Sequence, residues 1–268
     1  MRLLFLSLLL LANCSKATAP ANSLDEILAR KTLRVGLEAG YLPFEMRNKN
    51  GDYIGFDVEM AQALAKDLGV GLEIINMGGE GLIPGLLTKK FDLLIAGVTI
   101  TPERAKTVQF SDPYFTTGLT ALMANKHRVA PRQGALRNLS DLNDPKFVIT
   151  TVAGTTGDII VKTKLPKAQR RQLENPTDAV NEVRLGHADA FVYDQPFLMI
   201  LAKKYASQVF ALPGTFNHED FGIALRPSEP ELLGRVNQFL ARFRQEKKWD
   251  ALYEKYFVTM EWLGDVNL

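Results

Sequence analysis

Arg104 and Asp194 are the residues with the clearest chemistry, one a cation and the other an anion, each near the end of a strand pattern. The stretch Asp92 to Phe115, DLLIAGVTITPERAKTVQFSDPYF, opens with the unbroken apolar run Leu93, Leu94, Ile95, Ala96. Such a run predicts a strand covered on both faces. At Gly97 the side chains shrink; Val98 and Thr99 follow, and Thr99, Thr101 and Pro102 predict a turn and then a helix with Arg104 in its first turn. A helix N-terminus favours an anion through its unpaired N–H groups, and a guanidinium adds a planar fork that fits a carboxylate. The expected chemistry is carboxylate binding at the end of a strand.

Two later places complement this corner. Gly154-Thr155-Thr156-Gly157 follows a strand pattern and opens a helix, which offers free N–H groups and two hydroxyls to an anion. No Gly-Lys-Ser/Thr follows, so it is not a phosphate loop, and the dinucleotide fingerprint is absent. Asp194 ends the strand pattern Ala190–Tyr193, where open α/β sheets place their ligands. It suits an ammonium group, or equally an N-cap for a helix starting at Gln195. Taken together, Arg104, Thr99 and the GTTG turn would hold a carboxylate while Asp194 holds an α-amino group. Charge-assisted hydrogen bonds contribute roughly 1.5–3 kcal/mol each before ordering costs, enough for affinity of about a micromolar.

Composition narrows the classes. The chain has 268 residues, 46% apolar and 23% charged, and a net charge of +2. These are the proportions of a soluble globular protein, and without a long basic run nucleic acid is not expected as a partner. His127, His187, His218 and the single Cys14 lie far apart, with no metal-ligand spacing and no cysteine pair for a disulfide, so neither metal nor cofactor is expected. The N-terminus carries Arg2 and then the apolar run Leu3–Ala12, the length of a signal-peptide core and too short to span a bilayer. Leu11-Ala12-Asn13-Cys14 resembles a bacterial lipobox, although Asn13 stands where a small residue is usual; cleavage at Ala19-Pro20-Ala21 is the other route. Either way export is expected, to the periplasm or cell surface, with lipidation at Cys14 or release after Ala21. The membrane then enters only as a lipid anchor.

These residues need elements to position them. A polar tether to residue 23 precedes a short helix, a strand Leu33–Leu37 and a loop carrying Glu38, Tyr41, Pro43 and Phe44. A helix Asp57–Leu68 presents Val58, Ala61, Leu64 and Leu68 on one face and stops at Gly69; strand Leu72–Asn76 and helix Gly81–Lys90 follow. This β-α-β-α-β order predicts parallel strands with helical crossovers. Leu119–Ala124 reads as a strand leaving this lobe, and the polar, basic text from Asn125 to Ser140 as a boundary. A second α/β run has strand Phe147–Thr151, a helix from Asp158, a solvated basic stretch through Arg171, helix Thr177–Leu185, strand Asp189–Tyr193 and helix Gln195–Tyr205. Strand Phe221–Leu225 is followed by a helix Glu229–Phe257 whose core face holds Phe239, Phe243, Trp249, Tyr253 and Tyr256.

From Leu24 to Trp262 the chain resembles the family 3 extracellular solute-binding proteins, the polar amino acid receptors of ABC importers. RVGLEAGYLPFE, GDYIGFDVEMAQALA, LIPGLL, FDLLIAGVTITPER, FSDPYF, the VAGTTG turn and ADAFVYD carry the likeness in order. The resemblance implies an α/β, two-lobed periplasmic-binding-protein fold of type II, with a mainly parallel sheet in each lobe. Two crossing strands, near Leu119–Ala124 and His218–Phe221, would let the lobes close over the ligand by hinge bending. Residues 24–121 with 219–268 would form lobe 1, residues 122–218 lobe 2, and residues 1–21 the leader. It further implies a monomer that delivers an amino acid to an inner-membrane ABC permease with its cytoplasmic ATPase. Arg104 falls on the α-carboxylate arginine, Thr99 and the backbone of Gly97 on its neighbours, Thr156 on the second lobe's carboxylate contact, and Asp194 on the α-ammonium aspartate; Val98 and Thr155 are expected beside them in the ligand site. Glu38, Tyr41 and Phe44 fall on side-chain contacts. Where members that bind basic amino acids often carry a stacking aromatic, Met77-Gly78-Gly79-Glu80 has none, so the expected ligand is an amino acid, polar or basic, with Glu38 or Glu80 setting the preference. The same fold carries cyclohexadienyl dehydratases, and likeness to them would imply a glutamate three residues after the equivalent of Asp194. Here that position is Phe197, which transfers no proton, and no catalytic residue is expected unless Glu38 serves as the acid.

Overall fold

A computed structural model describes residues 22–128 and 136–267. The leader, with Cys14 and Ala21, lies outside the described residues. The first part of the chain runs α1 (Ser23–Arg30), β1 (Thr32–Leu37), a hairpin of β2 (Met46–Arg47) and β3 (Tyr53–Ile54), α2 (Phe56–Leu68), β4 (Gly71–Asn76), α3 (Gly79–Leu87) and β5 (Leu93–Leu94). After β6 (Gln109–Phe110) and β7 (Phe115–Thr117) come β8 (Leu119–Ala124), β9 (Val148–Val152), α4 (Thr156–Lys164), β10 (Gln169–Leu173), α5 (Pro176–Arg184), β11 (Ala190–Asp194), α6 (Gln195–Lys204) and β12 (Val209–Ala211). The chain then returns through β13 (Glu219–Phe221), β14 (Ala224–Leu225), α7 (Pro230–Gln245) and α8 (Lys248–Tyr253).

The strands form two five-stranded sheets, in the orders β4-β1-β5-β14-β6 and β10-β9-β11-β8-β12. In the first, β4, β1 and β5 run parallel; in the second, β10, β9 and β11 do. The apolar runs Leu33, Val35, Leu37 and Leu93, Leu94, Ile95 are buried, as expected of strands covered on both faces. Helix α2 buries Val58, Ala61, Leu64 and Leu68 and ends at Gly69 with φ 72°, the left-handed C-cap its glycine allows.

Between the sheets the chain crosses on an antiparallel pair, Phe115–Thr117 against Glu219–Phe221. The crossing therefore lies a few residues before the expected Leu119–Ala124, because β8 is wholly buried inside the second sheet between β11 and β12. Other expectations are corrected as well. The predicted helix after Thr101 is a single 3-10 turn, Arg104–Lys106, since Val108 is drawn into the core and Gln109–Phe110 pairs with β14. The basic stretch before Arg171 contributes the edge strand β10; its Arg170 and Arg171 pair with Asp158 and Glu182. The expected strand Phe221–Leu225 divides into β13 and β14, which join different sheets. The last helix breaks at Lys247 (φ 56°), and Tyr253 is 39% exposed where a core face was expected.

Candidate functional site

The C-terminal ends of β1, β5, β9 and β11 point toward one cleft of about 590 Å³, lined among others by Glu38, Tyr41, Val98, Thr99, Arg104 and Asp194. A second crevice, of about 600 Å³ and lined by Phe115, Met199, Trp249 and Phe257, carries the cations Lys203 and Arg244 and, among the described residues, no acid to oppose them. Only the first brings groups of both signs together, as a polar ligand requires.

In the first lobe the turn after β5 is held from beneath. Asp57 Oδ2 accepts from the Gly97 N–H at 2.8 Å and from the Tyr114 hydroxyl at 2.7 Å. Gly97 has φ 56°, and a Cβ there would lie 2.3 Å from the Tyr41 ring, so this position needs glycine twice over. Val98 lines the cleft, and its carbonyl accepts from the Gly222 N–H at 3.1 Å, which ties the turn to the returning strand. Arg104 is aimed by backbone. Its guanidinium donates to the Thr99 carbonyl at 2.9 Å and, across the cleft, to the Gly154 carbonyl at 3.1 Å. Among the described residues no carboxylate lies within ion-pair distance of it. Burial pulls its pKa down, against Glu219 and Asp194, which favour the charged form. The helix dipole expected behind Arg104 is absent, because only the short 3-10 turn forms there.

In the second lobe the GTTG turn splits its labour. The Thr155 hydroxyl caps α4: it accepts from the Asp158 N–H at 3.2 Å and donates to the Val152 carbonyl at 2.7 Å. Thr155 lines the cleft, but both bonds of its hydroxyl lie within the turn. Thr156 instead donates to Glu219 Oε2 at 3.1 Å. Asp194 occupies the N-cap position of α6, but its side chain makes no capping bond; its buried Oδ1 meets no donor at hydrogen-bond geometry, although the nearby Tyr41 hydroxyl favours the charged form. Of its two sequence readings, the capping one is therefore set aside. Burial first, and Glu219 second, push its carboxyl up to about 7.

Between the lobes stands an aromatic wall. Tyr41 stacks on Phe44 at 5.0 Å and on Phe197 at 6.0 Å, and meets Tyr193 edge-on at 5.7 Å. Phe44, expected to touch a ligand, is 0% exposed behind Tyr41 and packs on Phe56, Phe115, Phe221 and Phe257. It supports the wall and does not line the cleft. Glu38 lines the cleft beside Gly79, and burial raises its pKa.

Two carboxylates escaped the sequence reading. Glu45 lies at the cleft floor, buried, with neither oxygen partnered; burial and the neighbouring Asp57 push its pKa well up. Glu219, 4% exposed at the start of β13, accepts from Thr99 at 2.9 Å, Thr156 at 3.1 Å and Asn217 at 2.9 Å. In sequence it stands two residues before the apolar Phe221, on the same face of a strand, but three residues are too few to establish alternation. Among the described residues no group of three or more metal-ligating side chains occurs, and no helix is long and apolar enough to cross a membrane.

Arg104 and Asp194, of opposite charge, thus line one cleft between two α/β lobes. Residues 33–259 match the model of the bacterial extracellular solute-binding proteins, family 3, and the chain belongs to that family. It is 31% identical over 242 residues to the L-cystine-binding protein TcyJ of Escherichia coli, covering 90% of this chain and 88% of the relative. The crystal structure of the ancestral amino acid-binding protein AncCDT-1, a precursor of cyclohexadienyl dehydratase, matches with a TM-score of 0.79 at 44% identity, covering 88% of this chain and 100% of that one. A putative binding component of an ABC transporter from Wolinella succinogenes, complexed with lysine, matches with a TM-score of 0.82 at 37% identity, covering 88% of this chain and 100% of that one. The chain shares with these neighbours the two-lobed α/β fold of periplasmic binding proteins.

Proposed function

We propose that the chain is the extracytoplasmic binding component of an ABC importer and captures a polar or basic amino acid between two closing lobes. One observation carries the reading: Arg104, oriented by two carbonyls and unpaired with any carboxylate among the described residues, shares a cleft with the bare Oδ1 of buried Asp194. Arg104 takes the α-carboxylate and Asp194 the α-ammonium. The backbone of Gly97, Val98 and Thr99 shapes the wall at the carboxylate end. Glu38, Glu80 and Glu174 also line the cleft, where Arg104 is the single cation among the described residues, so the field favours a cationic side chain. The lysine complex of the Wolinella succinogenes relative agrees with that preference.

The receptor works as a monomer in the periplasm or at the cell surface, held by lipid at Cys14 or freed by cleavage after Ala21. It passes its ligand to a permease in the inner membrane, driven by a cytoplasmic ATPase, with no cofactor. Its lobes are residues 24–121 with 219–268, and 122–218. A thermal-shift screen against the common amino acids tests the reading. Stabilisation growing with excess of one polar or basic amino acid is expected; none with any of them would reject it.

One observation favours a second reading, a cyclohexadienyl dehydratase. The likeness to AncCDT-1 is joined by Glu38, a carboxyl in the cleft whose raised pKa suits a proton donor. Against it, Phe197 is buried on Tyr41 and Tyr193 and offers no proton. Incubation with prephenate and arogenate separates the two: no phenylpyruvate or phenylalanine is expected, and either product would establish the enzyme.

A further inference from the structure

Glu219 stands on the returning strand β13, between the two lobes, and one of its oxygens meets both of them. Oε2 accepts from Thr99, at the end of the first sheet's β5 turn, and from Thr156, at the first residue of α4 in the second lobe. Oε1 accepts from the Asn217 side chain, so the buried carboxylate has a hydrogen-bond donor on each oxygen. A hydroxyl carries one proton. With that proton on Glu219, the oxygens of Thr99 and Thr156 turn lone pairs to the cleft and meet a solute as acceptors. Asp194 lines the same cleft as Thr99 and Thr156.

We propose that Glu219 is a positioning residue for ligand capture. By taking the protons of Thr99 and Thr156 it ties one lobe to the other and presents both hydroxyl oxygens, beside Asp194, to the ammonium end of an amino acid. This rests on the amino acid reading of the cleft, but the tie between the lobes is measured separately from ligand affinity. The carboxylate end is then left to Arg104 and the backbone.

Two measurements test it, on the wild type, Glu219→Gln, Thr156→Val and the double variant. The first uses protein freed of ligand, with fluorophores on Lys66→Cys and Lys162→Cys, exposed positions on opposite lobes. Each single variant is expected to lengthen the mean distance between labels, and the double variant no further than either alone. Unchanged distances, or effects that add, would overturn the tie. The second is the affinity for L-arginine and its des-amino analogue 5-guanidinopentanoate. Glu219→Gln is expected to weaken L-arginine about tenfold, as for a lost hydrogen bond to a charged group, and the analogue much less. Equal weakening of both, or tighter arginine binding, would overturn the role at the ammonium. If Glu219→Gln does not fold, Thr99→Val with Thr156→Val repeats both measurements from the hydroxyl ends. Should wild type bind no amino acid at all, the functional reading fails while the distance measurement still decides the tie.

Discussion

At the scale of single residues, the site works by leaving charges unspent. Asp194 has the N-cap position but not the capping bond, and Arg104 has carbonyl partners but no acid. Arg104→Ala is expected to cost roughly 3 kcal/mol of binding, more than a hundredfold, and to abolish ligand-induced thermal stabilisation. The unliganded melting transition should stay cooperative; retained amino acid binding would count against the carboxylate role. Asp194→Asn should weaken α-amino acids far more than des-amino analogues. The pH dependence has a definite sign. The folded carboxyl titrates at about 7, above its ordinary 3.8, so its contribution to stability is present below pH 4 and lost as pH rises toward 7. Binding of an ammonium group needs the ionised form, so affinity should rise with pH through the same window and binding should release a proton. Titration calorimetry in buffers of different ionisation enthalpy would show that proton, and its survival in Asp194→Asn would refute the assignment.

Elements decide where these residues stand. The β5 turn depends on Gly97, whose left-handed φ and contact with Tyr41 both exclude a side chain. Tyr41 cannot retreat, since Phe44 and Phe197 stack on either side of it. Gly97→Ala should therefore destabilise by roughly 3 kcal/mol, read from denaturant unfolding, and distort the cleft. A loss below half of that would mean that the turn relaxes. At the start of α4, Thr155→Ala should cost about 1 kcal/mol of stability as a lost cap, with little change in ligand affinity. A large affinity loss there would return Thr155 to the ligand. Sequence could not separate Thr155 from Thr156, because neighbours in a turn differ by which way the backbone points them. The same holds for Phe44 and Tyr41: both are aromatic, and only packing sends one into the core and the other to the cleft.

For the whole molecule, the crossing pair β7 and β13 joins two sheets that each have their own core strands, which suits a hinge. Small-angle scattering should show the radius of gyration falling when the ligand is added, and no change would speak against closure. Much of this was legible in the chain itself. Periodicity located the strands Leu33–Leu37 and Asp189–Tyr193 and helix α2, because burial on both faces or on one stripe leaves its mark on local residue order. Asp194 was legible too, since it ends a buried strand, and so was Arg104, through the turn residues that precede it. What local order cannot contain is an encounter between distant segments. The Thr99–Glu219–Thr156 bridge joins three parts of the chain, and the reach of Arg104 to Gly154 spans both lobes. The edge strand β10 was hidden because its exposed pattern is polar on both faces, and the crossing at β7 because three-residue strands have no period to read. Residue order determined which groups this protein owns and which segments bury themselves; tertiary structure alone decided which of those groups face one another, because that depends on how the two sheets are set across the hinge.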